Sequence, residues 1–183
     1  MKRAILPIAA AIILIAACLP AQQASQDEAN PVSSDVRQIV SREAKNIMGA
    51  AEEMPADKYS YHPTPQQMTF GHLVLHMANS NNGLCSKISG MSAPDGEKLT
   101  DTAPKEKLVT ALKASFDFCT QALSKVDDSK LGEQITLFGT RKTTRAAAMI
   151  SLTDDFYDHY STAAMYLRMN GLLPPTARRA RPE

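Results

Sequence analysis

Aromatic residues are scarce. The chain has no tryptophan, five phenylalanines and five tyrosines among 183 residues, which leaves little surface on which nucleobases could stack. Neither sign of charge dominates: 20 Lys and Arg stand against 19 Asp and Glu, and the basic residues form no stripe. Nucleic-acid binding therefore lacks its electrostatic footprint. Only three cysteines occur, none in a C-x-x-C motif, which argues against a zinc knuckle or a redox pair. Beyond the first 21 residues there is no internal repeat and no low-complexity tract. At 44% hydrophobic and 21% charged residues, the chain has the composition of one soluble globular domain.

The one long apolar run is at the start. "MKRAILPIAAAIILIAACLPAQQA" places Lys2 and Arg3 before an uncharged stretch that ends near Leu19. It reads as a bacterial-type export signal, short for a membrane span and without a stop-transfer sequence after it. Two processing routes fit, with an uncleaved anchor helix as a third reading. Leu19-Pro20-Ala21 allows cleavage after Ala21, which gives a signal peptide over 1–21. Ile15-Ala16-Ala17-Cys18 resembles a lipobox, in which Cys18 would carry the lipid and hold the protein to a membrane. Ile in place of Leu weakens that match and favours the free form. On either processing route the domain is exported, periplasmic or secreted. Removing Lys2 and Arg3 leaves 18 basic against 19 acidic residues, and two cysteines, Cys85 and Cys119, remain. In an oxidising compartment a pair reads first as a disulfide.

Helical periodicity organises the rest. After a polar linker over 22–32, Val36, Ile39, Val40, Ile47 and Met48 mark a first amphipathic helix with Ser33 or Ser34 as its cap. "PADKYSYHPTP" breaks it, since three prolines in eleven residues do not continue a helix. A second helix in "QQMTFGHLVLHMANSNNGLCSKISG" carries Phe70, Leu73, Val74, Met77, Leu84 and Ile88. A third follows from Lys105, with Leu108, Leu112, Phe116, Cys119 and Leu123. The connection after it is irregular, with a short extended piece at "EQITLF". The fourth helix runs from a Thr143 or Thr144 cap to Asn170, with Gly171 as its stop. These elements predict an all-α domain, a four-helix bundle over 33–175, followed by a flexible tail over 176–183. Cys85 and Cys119 lie at similar levels if the second and third helices are parallel. If antiparallel, they stand about 16 Å apart along the axis. A disulfide thus favours an up-down-down-up bundle over a meander.

Within the fourth helix, Met149, Leu152, Phe156, His159, Ala163 and Tyr166 step three and four along the interior face. Asp155 sits one turn before His159 at the edge of that stripe, where both side chains can converge on one point. Bundles present metal ligands in this way, with a further ligand from a facing helix. His76, between Leu73 and Met77, is the candidate. His72, one turn earlier, reads as a rim residue or a fourth ligand. Asp158 reads as solvent-facing or as a residue that orients a ligand, Asp154 as solvent-facing, and His62 as loop surface. Without a metal, the Asp155–His159 pair is a simple hydrogen bond and His76 a core histidine.

Three stretches carry a family resemblance: "EEMPADKYSYHPTPQQMTFGHLVLHMANSN", "DDFYDHYSTAAMYLRMNGLLPP" and the leucine spacing of the third helix. In these the chain resembles the DinB family of four-helix-bundle, metal-binding proteins, over roughly residues 33 to 175. The resemblance places the family's helix-two histidine on His76. The second histidine of its H-x-x-x-H motif falls on His159, and the first on Asp155, which is a departure. Two His and one carboxylate form a harder site than three His, compatible with Zn, Mn, Fe or Ni, or the site has degenerated. The resemblance implies a metal-dependent hydrolase, thiol transferase or isomerase acting on a small molecule, and it makes a homodimer an expectation. Export argues against a cytoplasmic thiol cofactor and leaves hydrolysis as the enzyme reading. The alternatives are a non-catalytic metal- or ligand-binding module of the envelope and a structural bundle without metal. Tyr157, Tyr160, Asp158 and His72 are the only nearby candidates for a general base.

Overall fold

A computed structural model describes residues 29–179; the leader, the lipobox cysteine and residues 180–183 lie outside them. Helix α1 spans Pro31–Glu53 and begins before Ser33, earlier than the serine-cap reading placed it. Pro31 sits in the first turn, where its missing N–H costs nothing. The cap comes from far along the chain. Asp128 accepts hydrogen bonds from the amides of Val32 (2.9 Å) and Ser33 (2.8 Å), which satisfies two of the orphan donors of the helix start. Ser33 and Ser34 are buried instead. So are Glu43 and Asn46 on the same helix, joined by a 2.9 Å hydrogen bond from Asn46 Nδ2 to Glu43 Oε2.

The proline-rich segment turns through a short 3-10 helix at Ala56–Lys58. Helix α2 covers Phe70–Ser89 and starts later than the periodicity suggested, because Thr69 accepts a hydrogen bond from the amide of His72 and caps it there. Gly71 is required in this turn, since a Cβ would lie 2.6 Å from the carbonyl oxygen of Asp101. Helix α3 covers Lys105–Leu123. The irregular connection contains a hairpin: β1 (Gln134–Thr136) pairs antiparallel with β2 (Lys142–Thr144), Ile135 opposite Thr143. The extended reading of "EQITLF" found the first strand and missed its partner.

Helix α4 spans Arg145–Met169, capped by Thr144, with Gly171 in the left-handed region at φ 74°. At the start of the expected tail, residues Pro175–Arg179 form a short helix, α5, packed on the bundle. Thr176 shares a 2.9 Å hydrogen bond with Tyr160 Oη, Arg178 pairs with Glu53, and Pro175 lies against Gly49.

Contacts between helices fix the topology. Asn81 Nδ2 donates to Ser115 Oγ (2.9 Å), and one turn further along both helices Cys85 is disulfide-bonded to Cys119, with Cα atoms 5.2 Å apart. Four residues forward on α2 is four forward on α3, so they are parallel. His76 packs on His159, while Ser80 bonds Asp155. Four forward on α2 is four back on α4, so that pair is antiparallel. Arg37, early in α1, reaches the carbonyl of Val126 just past α3, and Lys105 at the start of α3 reaches the carbonyls of Glu52 and Met54. The order is therefore up-down-down-up. Helix α1 packs on α3 and α4, and α2 packs on the same two. The shared interior holds Ile47, Phe70, Met77, Leu112, Phe156 and Tyr166, all nearly inaccessible to solvent.

Candidate metal centre

Along α4 the interior stripe is buried at Met149, Leu152, Phe156, Ala163 and Tyr166. His159 stands in line with them, its side chain 12% exposed, and Asp155 lies beside it at 21%. Four residues of helix bring these two side chains to the same level on one face. Because α2 runs antiparallel to α4, it delivers His76 to that level, where the two imidazole rings meet edge to face with centroids 4.7 Å apart. His76, Asp155 and His159 each offer a ligand atom, all within 4.8 Å of one another.

The pair on α4 tests whether a cation fits. His159 Nε2 lies 3.4 Å from Asp155 Oδ1, yet it is buried and has no hydrogen-bond partner. Donors held at about 2.1 Å from a tetrahedral ion stand about 3.4 Å apart, the edge of the tetrahedron. The separation thus suits two ligands of one ion, and in its absence the ion pair of a protonated imidazole with the carboxylate. Surrounding groups act on both side chains. Ser80 Oγ donates to Asp155 Oδ2 at 2.8 Å, which leaves Oδ1 facing the His159 imidazole. Asp158 Oδ2 lies 3.3 Å from His159 Nδ1, where its charge acts on the other side of the ring.

The electrostatics agree. Burial holds the pKa of His76 below its ordinary value, and His159 adds to that against the pull of Asp155. Contact with the Asp155 carboxylate raises His159, against burial and with help from Asp158. Burial alone would raise Asp155, but contacts with His159 and Ser80 leave it lowered. Empty of metal, the Asp155–His159 pair favours a proton between its members; a divalent cation would take that proton's place.

The sequence pattern of the DinB superfamily matches residues 40–163. The chain belongs to the DinB superfamily. It is similar to a DinB-like protein from Bacillus subtilis, 25% identical, with a TM-score of 0.59 over 73% of this chain and 92% of that one. A DinB-like protein from Bacillus cereus, 18% identical, has the same fold, with a TM-score of 0.60 over 73% and 89%. No curated protein matches the chain.

The remaining candidates fall around the DinB bundle rather than in the triad. His72 is half exposed and faces Asp101 in the α2–α3 crossover, Nδ1 to Oδ2 3.3 Å. His62 Nδ1 lies 2.7 Å from the carbonyl of Thr64 in the surface turn. Asp154 and Asp158 are exposed, Asp158 beside His159. Tyr157 Oη accepts from Arg42 Nη2 (2.5 Å) and Tyr160 Oη is held by Thr176. Tyr166 donates to the carbonyl of Met68 at 3.0 Å, and Arg168 lies near the carbonyl of Ala164; both serve the end of α4. A cavity of about 820 Å³ opens between α2, α3 and the crossover. Leu75, Ala78 and Asn82 line it, about 150° around the helix from the face that carries His76 and Ser80.

Sequence reasoning missed Ser80. Its signal was present, one turn after His76 on the same face of α2, but a serine at that spacing has many ordinary uses. The nearness of Asp158 to His159 was legible because the two adjoin. The Asp101–His72 contact was not, because the crossover brings it together.

Proposed function

We propose that this exported DinB protein holds one divalent transition metal between His76, Asp155 and His159 and uses it to hydrolyse a small molecule. The observation that carries the reading is the buried His159 Nε2 3.4 Å from Asp155 Oδ1, with His76 closing the set. Two imidazole nitrogens and one carboxylate oxygen suit Zn, Mn, Fe or Ni. A metal so held keeps open positions and would acidify a bound water or polarise a substrate group. The chain's own contribution is to exclude water from one side with the α4 stripe, to hold Asp155 by Ser80, and to keep His76 unprotonated by burial. Asp155 in the position of a family histidine lowers the charge of the loaded site by one. Export rests on the leader, with its alternative anchor at Cys18. No described helix is long and apolar enough to cross a membrane.

A non-catalytic metal-binding module is the second reading. It is favoured by the near candidates for a general base, since Tyr157, Tyr160 and His72 each face another partner. Metal content by mass spectrometry separates these readings from a bare bundle. The protein is recovered from the periplasm without an affinity tag, beside the His76→Ala, His159→Ala variant. About one ion per chain, lost in the variant, supports the site; turnover on ester, amide or phosphate panels then separates hydrolase from module. Absence of metal from both, even after incubation with Zn(II), Mn(II) and Fe(II), sinks both metal readings.

A further inference from the structure

Asp155 has two oxygens, and a carboxylate that is free to turn can give a metal one or both. One of them is already engaged. Ser80 Oγ–H donates to Oδ2 at 2.8 Å across the α2–α4 interface, while Oδ1 lies 3.4 Å from His159 Nε2. The antiparallel packing makes this contact specific. His76 meets His159 at one level, and Ser80, one turn further along α2, meets Asp155 one turn back along α4. A single helix pairing therefore supplies both a ligand and the group that orients another ligand. Asp158 Oδ2 stands 3.3 Å from the other ring nitrogen of His159, Nδ1.

We propose that Ser80 is a positioning residue that restricts Asp155 to a one-oxygen metal ligand through Oδ1 and so sets the coordination number of the site. The inference rests on the metal reading above and adds to it which oxygen binds and why. With Oδ2 tied to Ser80, the protein gives three donors: one oxygen and two nitrogens. A fourth position stays open for water or substrate. Without the hydroxyl, Oδ2 is released, the carboxylate swings to bidentate binding, and the open position is crowded.

Cobalt(II) reads this directly, because its visible bands are intense in four-coordinate sites and weak in five- or six-coordinate ones. The apoprotein of the mature chain, as recovered from the periplasm, is titrated with Co(II) for the wild type, Ser80→Thr and Ser80→Val. Thr and Val have the same shape and differ only in the hydroxyl, so any effect of bulk is shared. Ser80→Ala gives a further variant of lesser volume. Wild type and Ser80→Thr are expected to give an intense visible spectrum. Ser80→Val and Ser80→Ala should lose intensity by on the order of threefold, with metal affinity about tenfold weaker, the usual scale for removing an outer hydrogen bond to a ligand. If Ser80→Val and Ser80→Thr give spectra of equal intensity, the hydroxyl does not restrict Asp155 and the inference is overturned, whatever the change in melting temperature. If the wild type takes up no Co(II), the metal reading falls and takes this one with it. A wild type that binds Co(II) with weak bands keeps the metal site and overturns the one-oxygen assignment.

Discussion

A single proton distinguishes the two states available to the Asp155–His159 pair. His159 has a raised pKa and Asp155 a lowered one. In the metal-free protein the protonated imidazole contributes stability that is fully present below its unfolded pKa and lost as pH rises through the raised folded value. The Asp155 carboxylate contributes stability above its unfolded pKa, lost as pH falls through its lowered one. Between those limits the empty site is held by a charge pair. Metal must displace the proton, so Zn(II) affinity is expected to fall as pH drops through the raised pKa of His159, while His76, already lowered, stays available. Isothermal titration over a pH series checks this; a flat profile across the histidine range would remove His159 from the ligand set. The same residues test for a bare hydrogen bond. Replacing both Asp155 and His159 with Leu should abolish metal uptake, and in the metal-free protein leave stability equal or higher.

Helix interiors were legible in the sequence, and their ends only where the cap is local. The stripes of α1 to α4 follow the 3.6-residue period, which depends only on local geometry. Thr144 and Gly171 were readable because a cap and a stop act within a few residues. The start of α1 was not, because its cap is the carboxylate of Asp128, a residue nearly a hundred positions away. Asp128→Ala should therefore destabilise the protein by about 1 kcal/mol, seen as a lower urea midpoint and faster amide exchange in the first turn of α1. Gly71 is a second point where one element depends on another. A methyl there would press on the carbonyl of Asp101, and Gly71→Ala is expected to cost about 1–3 kcal/mol through displacement of the crossover. A melting temperature equal to the wild type's would show that the crossover yields freely.

For the whole molecule, the disulfide joins α2 to α3 across 34 residues. In the chain-entropy account that closure stabilises the fold by about 3–4 kcal/mol. The Cys85→Ala, Cys119→Ala variant should show a loss of that size in chemical unfolding under oxidising conditions, with a smaller difference when both proteins are reduced. Metal acts at the same scale. If the site binds Zn(II), loading at a hundredfold excess over Kd stabilises the bundle by about 2.7 kcal/mol, and a chelator should lower the melting temperature accordingly.

The sequence by itself determined that the domain is helical, where the apolar faces lie, and that Asp155 and His159 share one point on α4. All of these follow from the period of a single helix. It also limited the topology, through the levels of two cysteines. Tertiary structure alone decided that Ser80 joins His76 at that point and holds Asp155 Oδ2, that His72 turns to Asp101, and that residues 175–179 pack on the bundle. The reason is physical. Local periodicity fixes direction around one helix axis, whereas the pairing of side chains on different helices depends on how those axes are packed together.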